Sequence, residues 1–232
     1  MLKEIKINET LGDIVLKFPE ANEIFNKYKI DYCCGGNDPL DKAVNEKGLQ
    51  VNEFLDELNK AYEKFFDSGA TLKKWEEEDP IDLINHIVSI HHIYTKKELP
   101  ILDGLIFKIL KVHFDHHGEE LLKIHKLFGL LKVDIQEHLI KEEEILFPLI
   151  EAYVNTKDES LLIDIKKFIQ ETEDEHHAAG DILKELREIT NDYQAPFDVC
   201  TTYKLVYSKL QDLEQDLFTH IHLENSVLFK II

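Results

Sequence analysis

The sequence predicts an all-α protein, a small N-terminal helical domain followed by an up-down four-helix bundle with histidines and glutamates facing inward. Three observations predict it. Glycine and proline are scarce, nine and six in 232 residues, which leaves little turn punctuation for a chain of this length. Apolar residues recur at alternating steps of three and four, the spacing of a buried helix face, rather than at the step of two that marks a strand. Beyond residue 80, four long stripes of this kind are each interrupted by a histidine.

The first segment, to about residue 66, reads as short helices. Thr10 is placed to cap Leu11–Phe18, and Pro19 to open a helix carrying Ile24, Phe25 and Tyr28. Asp31-Tyr32-Cys33-Cys34-Gly35-Gly36-Asn37-Asp38-Pro39 is a turn, followed by a helix that stops near Gly48. Val51, Phe54, Leu55, Leu58, Tyr62 and Phe65 mark another helix. Residues 67–79 are polar and read as a linker, and Asp79-Pro80 starts the next helix with a cap before proline. The expected division is therefore an N-terminal domain over 1–66, a linker over 67–79 and a bundle over 80–232.

Four helices are expected in the bundle, over about 80–111, 118–154, 158–190 and 201–230. The second gives the stripe Leu121, Ile124, Phe128, Leu131, Ile135, His138, Glu142, Ile145, Leu149. The fourth gives Tyr203, Val206, Leu210, Leu213, Leu217, His220, Glu224, Val227, Ile231. Both are apolar until a His and a Glu four residues apart break them. The third stripe carries His176 between Thr172 and Ala179, and the first carries His92 between Val88 and Thr95. His177 would share its face with Lys166, Gln170 and Lys184 and is expected in solvent. His92 is preferred to its neighbour His91 by a smaller margin, since seven residues on lies Leu99 rather than Glu98.

These positions also agree in height. Residues 92 and 138 each lie 23 positions from Asp115 in the first turn, 138 and 176 lie 18 and 20 from Thr156, and 176 and 220 lie 19 from Ala195 and 20 from Cys200. In an antiparallel bundle that puts them in one layer. The run His138-x-x-x-Glu142 with Ile145-Leu146-Phe147 is echoed by His220-x-x-x-Glu224 with Val227-Leu228-Phe229, so two helices supply the same half-site.

The chemistry follows from cost. A lone ionised glutamate on a buried face protonates or demands a compensating positive charge. Four imidazoles and two carboxylates in one layer provide it through metal ions, and two bridging carboxylates with two His per ion leave each ion open to water, oxo or a small diatomic. Mixed nitrogen and oxygen donors without thiolate favour iron over a structural zinc site. A single buried His is more often a satisfied core residue, and an isolated His/Glu pair four apart is more often a surface pair; six such residues in register argue against both. The remaining histidines, 86, 91, 113, 116, 117, 125, 177 and 222, are read as non-ligands.

The balance of 27 basic against 46 acidic residues, net −19, argues against nucleic acid and against an anionic membrane surface. No apolar run reaches transmembrane length, and the first residues lack a signal-peptide core. Three cysteines are too few for a disulfide scaffold, so a cytoplasmic location is expected.

Taken together, Asp31-Tyr32-Cys33-Cys34-Gly35-Gly36, His138-x-x-x-Glu142 with Leu146-Phe147-Pro148, Glu175-His176, Cys200-Thr201-Thr202 and His220-x-x-x-Glu224-Asn225 resemble the haemerythrin-like superfamily, and within it the repair-of-iron-centres di-iron proteins. The resemblance covers nearly the whole chain. It implies the ligand set His92, His138, Glu142, His176, His220 and Glu224, with the glutamates bridging two non-haem iron ions per chain that share an oxo group. It also implies a cytoplasmic homodimer that restores iron–sulfur clusters damaged by nitrosative or oxidative stress by supplying iron, with damaged iron–sulfur proteins as partners. Nitric oxide or oxygen species are the implied small ligands. Near the first bundle helix the chain departs from the family pattern, placing His91 and His92 side by side.

Cys33 and Cys34 are the candidate reactive residues. Neighbouring thiols cannot close a relaxed disulfide, and a Gly-Gly turn beside Tyr32 suggests accessible sulfur that binds metal or nitric oxide or exchanges electrons; the alternative is two small residues filling a turn. Cys200 is expected as a buried helix-start residue. Two rival functions stay open, a di-iron nitric oxide reductase and a haemerythrin-type oxygen or nitric oxide carrier or sensor.

Overall fold

The computed structural model describes residues 4–33, 35–67 and 79–232. Cys34 and residues 68–78, most of the expected linker, lie outside the described residues. The chain forms two compact units, Met1–Asp79 with Ile221–Ile232, and Pro80–His220. The architecture is all-α: among the described residues the only β-type pairing is an isolated bridge between Thr10 and Pro39.

In the first unit the helices are α1 (Leu11–Lys17), α2 (Ala21–Lys27), α3 (Leu40–Glu46) and α4 (Val51–Asp67). Thr10 Oγ1 accepts the Asp13 backbone N–H at 3.2 Å and satisfies one of the donors left open at the start of α1. Leu11, Ile14, Phe18, Phe25, Leu40 and Leu58 are fully buried, and the Phe18 ring meets Tyr62 and Phe65 at 5.5 and 5.4 Å. Gly48, at φ +67°, takes the left-handed conformation that closes the α3 connection.

The turn between α2 and α3 is held by close backbone approach. Gly12 N–H donates to the Gly36 carbonyl at 2.8 Å, and Asn225 Nδ2 donates to the Cys33 carbonyl at 3.4 Å. A Cβ on Gly35 would stand 2.5 Å from the Asp31 carbonyl oxygen, and one on Gly36 would stand 2.8 Å from Ser226 Oγ. The glycine pair is thus a steric requirement of this turn.

In the second unit, α5 (Pro80–Ile87) runs through a π-helical turn, Val88–His92, into α6 (Ile93–Val112). Helix α7 (Phe114–Lys141) passes through a second π turn, Glu142–Leu146, into α8 (Phe147–Thr156). The third bundle helix is α9 (Leu162–Ile189). The fourth is α10 (Thr201–Leu223), which runs through a third π turn, Glu224–Leu228, into α11 (Phe229–Ile231). Lys157, left-handed at φ 56°, ends α8, and Asp158 Oδ1 accepts the Ser160 N–H at 3.0 Å to start the next helix. Arg187 and Glu214 tie α9 to α10 through a forked pair at 2.7 to 3.1 Å.

The π turns correct the stripe reading in one respect. A regular step predicts Ile145 and Leu149 inward after Glu142, but Ile145 is 39 % exposed while Leu146, Phe147 and Ile150 are buried. The wider turn inserts one extra residue, so the buried face moves on by one position. Ile231 is likewise exposed.

Candidate metal centre

Each of the three π turns begins or ends at a candidate ligand: His92 closes the first, Glu142 opens the second and Glu224 opens the third. Such turns break the regular ladder of hydrogen bonds and recur at functional sites, because they re-aim one side chain without ending the helix. All six residues expected in the layer are buried, none more than 2 % exposed. Donor atoms of His92, Glu142, His220 and Glu224 lie within 4.8 Å of one another, and so do those of His138, Glu142, His176 and Glu224. Both glutamates belong to both groups.

The distances describe a facing arrangement. Nε2 of His92 is 3.2 Å from Nε2 of His220, and Nε2 of His138 is 3.2 Å from Nε2 of His176. Glu142 Oε2 sits between the pairs, 3.4 Å from His92, 3.3 Å from His138 and 3.9 Å from His220.

Behind the imidazoles stand two further carboxylates, neither of them among the six residues expected in the layer. His92 Nδ1 lies 2.7 Å from Glu143 Oε1, and His138 Nδ1 lies 2.9 Å from Glu175 Oε2. Lys96 Nζ donates to both oxygens of Glu143 at 2.6 Å, and Lys141 Nζ donates to Glu175. The hydrogen bond from His138 holds the Glu175 carboxyl down to about 2, against the opposing effect of burial and with help from Lys141. Burial raises Glu143, but Lys96 and His92 outweigh it and keep the carboxyl below its ordinary value. An Nδ1–H donated to carboxylate fixes the tautomer and turns the Nε2 lone pair toward the cluster, the carboxylate–histidine arrangement that supports metal ligands. The donor set therefore fits a pair of N/O-ligated cations. The sequence signal was adjacency: Glu143 follows Glu142, and Glu175 precedes His176.

The other candidates fall as follows. His91 is buried beside His92, but its Nδ1 pairs with Asp216 at 2.9 Å and its ring stacks on His220. His177 is exposed. Cys33 is buried at 1 % exposure rather than accessible, and its thiol donates to Asp31 Oδ1 at 3.1 Å. Cys34 lies outside the described residues. Cys200 is exposed rather than buried: it precedes the first turn of α10, and its sulfur lies 3.2 Å from His113 Nε2. Backbone N–H groups of Tyr203 and Thr202 at that helix start hold its thiol below the usual range. His222 is buried with its ring against Tyr32, and desolvation pushes it down to about 4.

Comparison with known proteins agrees with this anatomy. Residues 83–232 match the hemerythrin HHE cation binding domain, and residues 7–62 match ScdA_N, a domain of unknown function (DUF542). The chain is 34 % identical over 223 residues to the iron-sulfur cluster repair protein ScdA of Staphylococcus epidermidis, covering 96 % of both chains. Identity to ScdA of Staphylococcus haemolyticus is also 34 %, over 96 % of this chain and 97 % of that protein. The iron-sulfur cluster repair protein YtfE of Escherichia coli O8 is 33 % identical over 222 residues, 96 % of this chain and 95 % of its own. The chain belongs to the ScdA and YtfE family of iron–sulfur cluster repair proteins, and its bundle is a haemerythrin-like cation-binding domain.

Proposed function

We propose that this protein repairs iron–sulfur clusters damaged by nitrosative or oxidative stress, acting on damaged iron–sulfur proteins by supplying iron. The observation that carries the reading is the pair of buried N/O groups that share Glu142 and Glu224. His92 and His220 would hold one iron, His138 and His176 the other, with the two glutamates and an oxo group bridging. Such a pair, when bound, supplies Lewis-acid and one-electron redox chemistry at positions open to nitric oxide or oxygen species.

The chain's own residues set how tightly that cargo is held. Glu143 and Glu175 keep His92 and His138 in the ligating tautomer, while Lys96 and Lys141 keep those carboxylates ionised. A donor set of nitrogen and oxygen, without thiolate, binds ferrous iron less tenaciously than sulfur-rich sites bind softer ions, which suits release. Cys33 and Cys34 are the proposed transfer residues. The proposed organisation is a cytoplasmic homodimer with a domain over 1–66, a linker over 67–79 and the di-iron bundle over 80–232. In support, no helix among the described residues is long and apolar enough to cross a membrane.

The test is reactivation of a purified cluster enzyme after nitric oxide or peroxide damage. Iron-loaded protein should restore activity faster and further than the same amount of free ferrous iron; recovery no better than free iron would remove the reading.

A further inference from the structure

His222 lies two residues from both His220 and Glu224. Two residues turn a helix by about 200°, so His222 points away from the face the other two share. It belongs to the same compact unit as the cysteine turn. The residue is 3 % exposed, and neither ring nitrogen has a hydrogen-bond partner among the described residues. A neutral imidazole carries one donor and one acceptor, so the position leaves two polar groups unmatched where an apolar side chain of similar size would leave none. What the ring meets is the turn: Tyr32 stands edge-on to it at 6.0 Å. Three positions further along the helix, Asn225 donates to the Cys33 carbonyl at 3.4 Å. The Cys33 thiol donates to Asp31 Oδ1, so a carboxylate is in place to take its proton.

We propose that His222 and Cys33 are the imidazole and thiolate ligands of a second site, one that takes a single ferrous ion in transit. The proposal rests on the iron-supply reading above and adds a named residue to it. On binding, the S–H bond breaks, the proton passes to Asp31 and on to solvent, and an Fe–S bond forms with no change in oxidation state. Cys33 Sγ turns away from Asp31 to reach the ion. Sulfur with imidazole is a softer donor set than the His/Glu layer and suits the reduced ion.

The test titrates full-length, iron-loaded protein with cobalt(II) under anaerobic conditions. One additional equivalent with a sulfur-to-cobalt charge-transfer band is expected. Cys33→Ala should abolish the band, and His222→Phe and His222→Gln should each weaken the added equivalent at least about tenfold with iron content unchanged. No additional equivalent, a band that survives Cys33→Ala, or wild-type affinity in both His222 variants overturns the proposal. Iron transfer to an acceptor apoprotein is measured in parallel. Transfer from wild type with no cobalt site removes the second site alone, whereas a cobalt site with no transfer removes the iron-supply reading.

Discussion

Nδ1 of His138 on α7 lies 2.9 Å from Oε2 of Glu175 on α9, and Lys141 donates to the other oxygen of the same carboxylate. His92, Glu143 and Lys96 repeat the relation in the other group of donors. Each group of donors thus has one imidazole whose orientation is set by a carboxylate that is itself held by a lysine.

Replacing either carboxylate should loosen metal without unfolding the bundle. Glu175→Gln and Glu143→Gln are each expected to lower metal affinity about 10- to 100-fold. Competition with a chromophoric chelator measures the affinity, and far-ultraviolet circular dichroism should stay that of the wild type.

The acid limb of stability should carry the mark of Glu175. Its folded-state value, about 2, lies below the ordinary 4.5, so its stabilisation is present above about pH 4.5 and is lost as pH falls toward 2. In metal-free protein, Glu175→Gln should flatten that part of the profile. Acid unfolding followed by circular dichroism, wild type against variant, checks the sign.

Glu142 stands between the two histidine pairs, so Glu142→Gln should cost more than one ligand's share of binding. At least one iron per chain should be lost, as read by elemental analysis. Metal removal from the wild type should lower the melting temperature, since the bound ions stabilise only the folded state. Two irons retained in the variant would exclude the bridging role.

Gly35→Ala probes the cysteine turn. Its Cβ would stand 2.5 Å from the Asp31 carbonyl oxygen, a backbone atom that cannot swing aside. The expected loss is about 1–3 kcal/mol of stability, measured by denaturant unfolding. An unchanged midpoint would show that the turn accommodates a side chain.

Much of this protein follows from periodicity alone. Alternating steps of three and four mark the four bundle helices, and the polar interruptions at His92, His138, Glu142, His176, His220 and Glu224 stand out because a buried stripe tolerates such residues only with a partner. That reading needs no coordinates, since helix geometry converts spacing into facing. It fails just after Glu142, where the π turn moves burial from Ile145 to Leu146, because a fixed step cannot register an inserted residue.

What only the tertiary structure decided are relations between side chains distant in sequence. Glu175 backing His138, Asn225 clamping the Cys33 carbonyl and His113 meeting Cys200 each join residues on separate elements. The burial of Cys33, the exposure of Cys200 and the sealed ring of His222 have the same origin. A one-dimensional pattern reports which way a residue faces on its own helix. What stands opposite depends on how the helices meet, and that is set by packing rather than by spacing.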